Sequence, residues 1–238
     1  MIKHWHRWTL LMFAILGLAA RAQEQKPTPY TAMAPAQQYF MTSAQEEIAL
    51  ARTAAPASIS ADAEVLVLTA SGYETAVKGS NGFVCFIERS WTAGFDDAEF
   101  WNPRIRGPNC FNPPAVRSVL PQYLRRTQWA LAGDTRAQMR EKARLAFASQ
   151  QFAAPESGSF SFMLSKQGFL GDGAGGPWHP HVMFFIAHGQ APTWAAGLKD
   201  SPVMGDEGDA AEPTVLFIPV PRWSDGSLAP YPDKQHPH

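Results

Sequence analysis

Strands that cluster instead of alternating with single helices predict an α+β fold: a mainly antiparallel sheet of about six strands with two to three packed helices. Three observations carry this. Residues 64–90 hold three short apolar runs separated by turn signals at Ser71-Gly72 and Gly79-Ser-Asn-Gly82. Residues 112–150 place apolar side chains at helical spacing, and three more strand-like runs follow between 159 and 220.

The elements follow in chain order. Gln23 to Tyr39 mixes Pro, Gln and Ala without a hydrophobic period, so residues 23–41 are expected to form a flexible lead-in to a single domain over 42–238. Ser43 with Glu46 three positions on is a capping box, predicting a helix from about Ala44 to Thr53 that Pro56 stops. Glu64–Thr69, Tyr73–Lys78 and Phe83–Glu88 are the first strands; the last is apolar toward both faces, as a central strand covered on both sides must be. Trp91 to Phe111 reads as a long aromatic loop, whose aromatics form either a local hydrophobic cluster over a sheet edge or a ligand-stacking surface. Asn112-Pro113-Pro114 opens a helix in which Pro121 imposes a kink or a division into two, and Asp134 is expected to cap another reaching about Gln150. Ser159–Lys166, His181–His188 and Thr214–Val220 are the remaining strands, before a Pro-rich tail. No internal repeat is present.

The amino terminus predicts export. Lys3 and Arg7 precede the run Thr9–Ala20, 12 residues without charge, and Ala20-Arg21-Ala22 offers small residues where a signal peptidase reads. This is the pattern of a signal peptide over 1–22, cut after Ala22, leading to a secreted or periplasmic protein. The apolar run is too short to span a bilayer comfortably, which takes about 20 residues, so no membrane span is expected after cleavage. Cleavage removes Lys3, Arg7 and Arg21 and leaves 17 basic against 21 acidic residues, a net charge of −4. That balance argues against a nucleic-acid partner. An oxidising compartment favours pairing of the two cysteines, Cys85 and Cys110, and the loop they close predicts about 3.5 kcal/mol from chain entropy. A reactive thiol at Cys85 is the alternative, and nothing around it is activating.

Several chemistries are excluded by motif: there is no G-x-S-x-G, no G-x-x-x-x-G-K-[ST], no H-E-x-x-H and no EF-hand loop. The glycine-dense loop Gly168–Gly176 leads into a strand, not a helix, which removes phosphate cradling at a helix terminus. What stands out is Trp178-His179-Pro180-His181. Pro180 biases His179 toward an extended conformation, and positions two apart on an extended chain project to one side, so two imidazoles can meet one divalent metal ion. Trp178 is a candidate pocket wall, with Asp172 and Glu88 as candidate lining or donor groups and Asp206 as another donor; the spacing selects no third ligand. His188 has the wrong parity. The alternative for the pair is partly buried histidines bonded to backbone. The terminal His236-Pro237-His238, the basic stretch Arg125–Arg144 and the acidic run Asp206–Asp209 are weaker candidates for metal, anion and calcium binding.

The stretch Val77-Lys-Gly-Ser-Asn-Gly-Phe-Val-Cys85 with Glu88-Arg89-Ser90, together with Cys110-Phe-Asn-Pro113 and Gly176-Pro-Trp-His-Pro-His-Val-Met-Phe-Phe185, resembles a family of small exported bacterial proteins known only as hypothetical. The resemblance implies export in a Gram-negative bacterium and brings no activity, cofactor or site residue. From the residues, the expected function is a ligand- or metal-binding module at the Trp178–His181 strand start. The alternatives are a metal-dependent hydrolase on the same histidines, and an envelope interaction module using the aromatic loop 91–111. The sequence does not decide whether the chain is an enzyme.

Overall fold

The computed structural model describes residues 30–172, 179–205, 207 and 209–230 of the chain. Seven strands make one sheet: β1 (Glu64–Thr69), β2 (Gly72–Val77), β3 (Val84–Glu88), β4 (Gly107–Phe111), β5 (Phe160–Met163), β6 (His181–Ile186) and β7 (Thr214–Pro219). Their order is β2-β1-β3-β4-β5-β6-β7. All neighbours are antiparallel except β1 and β3, which run parallel because β1 turns first into its hairpin with β2 and the chain then returns along the other side of β1. The α+β architecture with a mainly antiparallel sheet is therefore as predicted, with one strand more.

The additional strand is β4, which lies inside the stretch expected to be loop. Its sequence, Gly-Pro-Asn-Cys-Phe, has no alternation and contains a proline that withholds a ladder N–H, so its strand signal is weak. Tertiary pairing overrides this: Val84 to Glu88 pair with Phe111 back to Gly107, and Cys85 falls opposite Cys110. The two sulfurs are 2.07 Å apart, joined as a disulfide.

The helices are α1 (Ala44–Arg52), α2 (Ala57–Ser60), α3 (Pro113–Ser118), α4 (Leu120–Leu131) and α5 (Arg136–Ala148). Ser43 Oγ accepts from Glu46 N at the start of α1, and Asn112 caps α3 with prolines in its first turn. The break at Val119 just before Pro121 divides α3 from α4 as the proline requires. The cap of α5 is Thr135 rather than Asp134, in a reciprocal capping box with Gln138; Asp134 instead pairs with Lys142.

Both faces of β3 are covered, as its sequence demands. Val84 and Phe86 pack with Phe111, Val119, Tyr123 and Phe185 beneath α3 and α4, while Cys85 and Ile87 pack with Ala51, Ala54 and Val65 beneath α1. A third cluster joins α4 and α5 to the segment 91–101. This corrects two expectations. Trp91, Phe95, Phe100 and Trp101 are all buried, at 0–3% exposure, so the aromatic loop packs inward and leaves the interaction-module reading without the exposed patch it needs. Likewise, the lead-in is folded from Tyr30 onward: Tyr39 is fully buried against Trp91, and its hydroxyl donates to Trp101 O at 2.8 Å. Aromatic residues in that stretch outweighed its Pro and Gln content. The expected signal peptide and its cut after Ala22 lie outside the described residues, as do Trp178 and the end of the tail. Among the described residues no helix is long and apolar enough to cross a membrane.

Candidate functional site

Strand parity gathers polar groups at one end of the sheet. Val84 and Phe86 face α3 and α4, so Glu88, two positions on, does too; Met183 and Phe185 face the same cluster, and His181 precedes them by the same step. Met163 is the register partner of His181, and Phe217 that of Met183. At this end a cleft of about 510 Å³ opens, with Glu88, Met163, His181, Met183 and Phe217 in its lining. Ser90, Asp97, Glu99, Leu170, Glu207 and Glu212 reach it from loops.

Glu88 is the chemically distinctive group. Burial pushes its carboxyl up to about 7, against the opposing pull of the Asn109 amide, which donates to Oε1 at 2.6 Å, and of the Arg126 charge. Among the described residues it has no ion pair. Its carboxyl can therefore take or release a proton near neutral pH. The adjacent Arg89 is fully buried and fully engaged: it donates to Glu47 Oε1 at 2.8 Å, to Tyr39 O at 2.7 Å and to Ile87 O at 2.6 Å. Ser90, 2% exposed, lines the cleft with a hydroxyl that finds no hydrogen-bond partner among the described residues. Among the described residues no base is within hydrogen-bonding reach of it.

His181 is held by the edge of the Phe217 ring, centroids 5.3 Å apart, and its Nδ1 lies 2.9 Å from the carbonyl oxygen of His179. A carbonyl only accepts, so Nδ1 carries the proton and, in the neutral ring, Nε2 carries the lone pair. Burial lowers its pKa, with a smaller push in the same direction from the neighbouring His179. His179 contributes its backbone rather than its ring to this contact, and it is not in the lining of the cleft. Among the described residues no group of three or more His, Cys, Asp or Glu could hold a metal ion. Of the residues singled out in the sequence, the fold thus places Glu88 and His181, on strands separated by β4 and β5, in the lining of one cleft and leaves His179 outside it.

Asp172 is directed elsewhere. Its carboxylate pairs with Arg104 and accepts from Tyr30 and Asn102, outside the cleft lining, while its backbone N–H donates to Glu99 Oε1 at 3.2 Å. Trp178 and Asp206 lie outside the described residues. The acidic run does not converge: Glu207 accepts from Gly189 N and Ala191 N, whereas Asp209 meets Arg140 at 3.0 Å. His188, beyond the end of β6, is 3.6 Å from Glu207. The basic stretch is largely neutralised, with Arg126 on Glu212, Arg140 on Asp96, Lys142 on Asp134 and Arg144 on Glu141.

Glu99, Glu212 and Ser90 were not singled out from sequence, and Glu207 only as part of the acidic run Asp206–Asp209. The loops that bring in the three glutamates carry no periodicity to fix their direction; Ser90 had a signal, since it continues the parity of Phe86 and Glu88. Comparison of the chain with family models, curated proteins and solved structures gives no match.

Proposed function

We propose that the chain is an exported ligand-binding module whose site is this cleft, with Glu88 and His181 as its polar anchors. The observation that carries it is that both residues, from β3 and β6, line one space of about 510 Å³, within the size range of small-molecule sites. Export rests on the amino-terminal charge and apolar pattern, and the paired cysteines are compatible with it.

The test is amide chemical-shift mapping of the mature protein against a set of small fragments of mixed charge. Binding in the cleft moves the amides of Ser90, His181 and Met183 together, and a Glu88→Gln change alters which fragments do so. Should every fragment that binds move amides elsewhere and leave these in place, the cleft is not the site. Zinc and copper titration of the wild type and of His179→Ala/His181→Ala separates a metal from an organic ligand. Equal binding by the two proteins removes the metal.

A further inference from the structure

Granting that the cleft is the binding site, we infer that its ligand is a small organic cation: an amine carried on an apolar body. The inference stands on how charge is distributed over the cleft wall. Among the described residues, five acidic side chains line it, Glu88, Asp97, Glu99, Glu207 and Glu212, and the only Lys or Arg in the lining is Arg89. Arg89 is already committed to Glu47, on the far side of the strand from Glu88. Glu212 is matched by Arg126 at 2.9 Å, and Glu207 is occupied by backbone N–H groups and by Thr214. Glu88, Asp97 and Glu99 accept only from neutral donors, Glu88 from the Asn109 amide, Asp97 from Glu99 N and Glu99 from Asn102 and Asp172 N, and none of the three has an ion pair among the described residues. Three carboxyls without cations in one concavity disfavour an anionic guest and favour a positive one.

Two further observations shape that guest. The buried Ser90 hydroxyl, with no partner among the described residues, adds a lone pair and a donor to the polar wall. Ile105, Met163, Leu170, Met183, Val215 and Phe217 make the rest apolar, two of them thioethers that adapt to an irregular organic shape. A bare metal ion would leave that surface unused, and a polyol would leave the three carboxyls without a counter-charge. An ammonium on a hydrocarbon or aromatic body satisfies both halves.

The experiment compares three probes that differ only in the polar head: phenethylamine, phenethyl alcohol and phenylacetate. Each is titrated against the wild type at about pH 8, where Glu88 is ionised, by the same amide mapping and by calorimetry. The amine is expected to bind at least about tenfold tighter than the alcohol, equivalent to about 1.4 kcal/mol, with the carboxylate weakest. Glu88→Gln/Glu99→Gln is expected to erase that preference by about tenfold while changing alcohol binding by less than about twofold. If the alcohol or the carboxylate moves the cleft amides as effectively as the amine, the ligand class is wrong while the cleft stands as a site. The class is equally wrong if calcium or magnesium chloride moves them and the amine does not, or if the double variant keeps the amine preference. If no probe of any charge moves them, the cleft itself fails as a site and the inference goes with it.

Discussion

The two faces of β3 treat buried charge in opposite ways. On the α1 face, Arg89 continues the line of Cys85 and Ile87 and is given a complete set of partners, the Glu47 carboxylate and two backbone carbonyls. On the α4 face, Glu88 continues the line of Val84 and Phe86 and receives one amide, from Asn109, and no cation among the described residues. The residues are consecutive in sequence. A charge fully met from within the chain is architecture, and here it ties α1 and the segment around Tyr39 to the sheet. A carboxyl left with a single neutral donor beside a cleft is placed for something outside the chain.

The largest effect expected from this contrast comes from breaking the closed face. Glu47→Ala leaves Arg89 buried without its counter-ion and should cost about 3–5 kcal/mol in urea denaturation; a loss below about 1 kcal/mol would mean that Arg89 finds another partner. Next, on the same face, Cys85→Ala/Cys110→Ala should cost about 3 kcal/mol relative to the oxidised protein, because the unfolded chain regains the freedom of the intervening loop. The last effect belongs to the open face and has the opposite sign. Burial lifts Glu88 from 4.5 to about 7, so across that window the native state keeps a proton that the unfolded chain has lost. Stability from this group therefore falls as pH rises through the window, and the deficit is complete above it. Glu88→Gln, which keeps an acceptor for Asn109, should thus be more stable than the wild type by about 3 kcal/mol near pH 8 and indistinguishable from it near pH 4. Denaturation of both proteins at the two pH values checks this, and a difference that does not change with pH would show that Glu88 is not held protonated by the fold.

How much of this was legible beforehand follows from which forces act locally. The doubly apolar run Val84–Ile87, the Ser43 and Asn112 caps and the division at Pro121 are encoded within a few residues, while Cys85 and Cys110, 25 positions apart, were paired because the sequence holds two cysteines; each stands where expected. β4 was hidden because its residues lack intrinsic strand preference and become a strand only through Val84–Glu88 on one side and β5 on the other. In the cleft, His181 and Glu88 were visible from their residue types and positions, while the direction of Asp172 was not. Its fate depends on Arg104, Asn102 and Tyr30, which are far away along the chain. The inward packing of the 91–101 aromatics was one of two readings left open, since an aromatic-rich loop has the same composition whether it covers a core or meets a partner.

Having Glu88 and Arg89 side by side also guards the alignment of the sheet. A slip of β3 by a single residue would turn Glu88 toward Glu47, carboxylate against carboxylate, and would swing Arg89 away from its carbonyls. The same slip would carry Cys85 out of reach of Cys110, so the covalent link could close only in the correct alignment. One dipeptide and one covalent link thus favour the same alignment, the first by charge and the second by geometry.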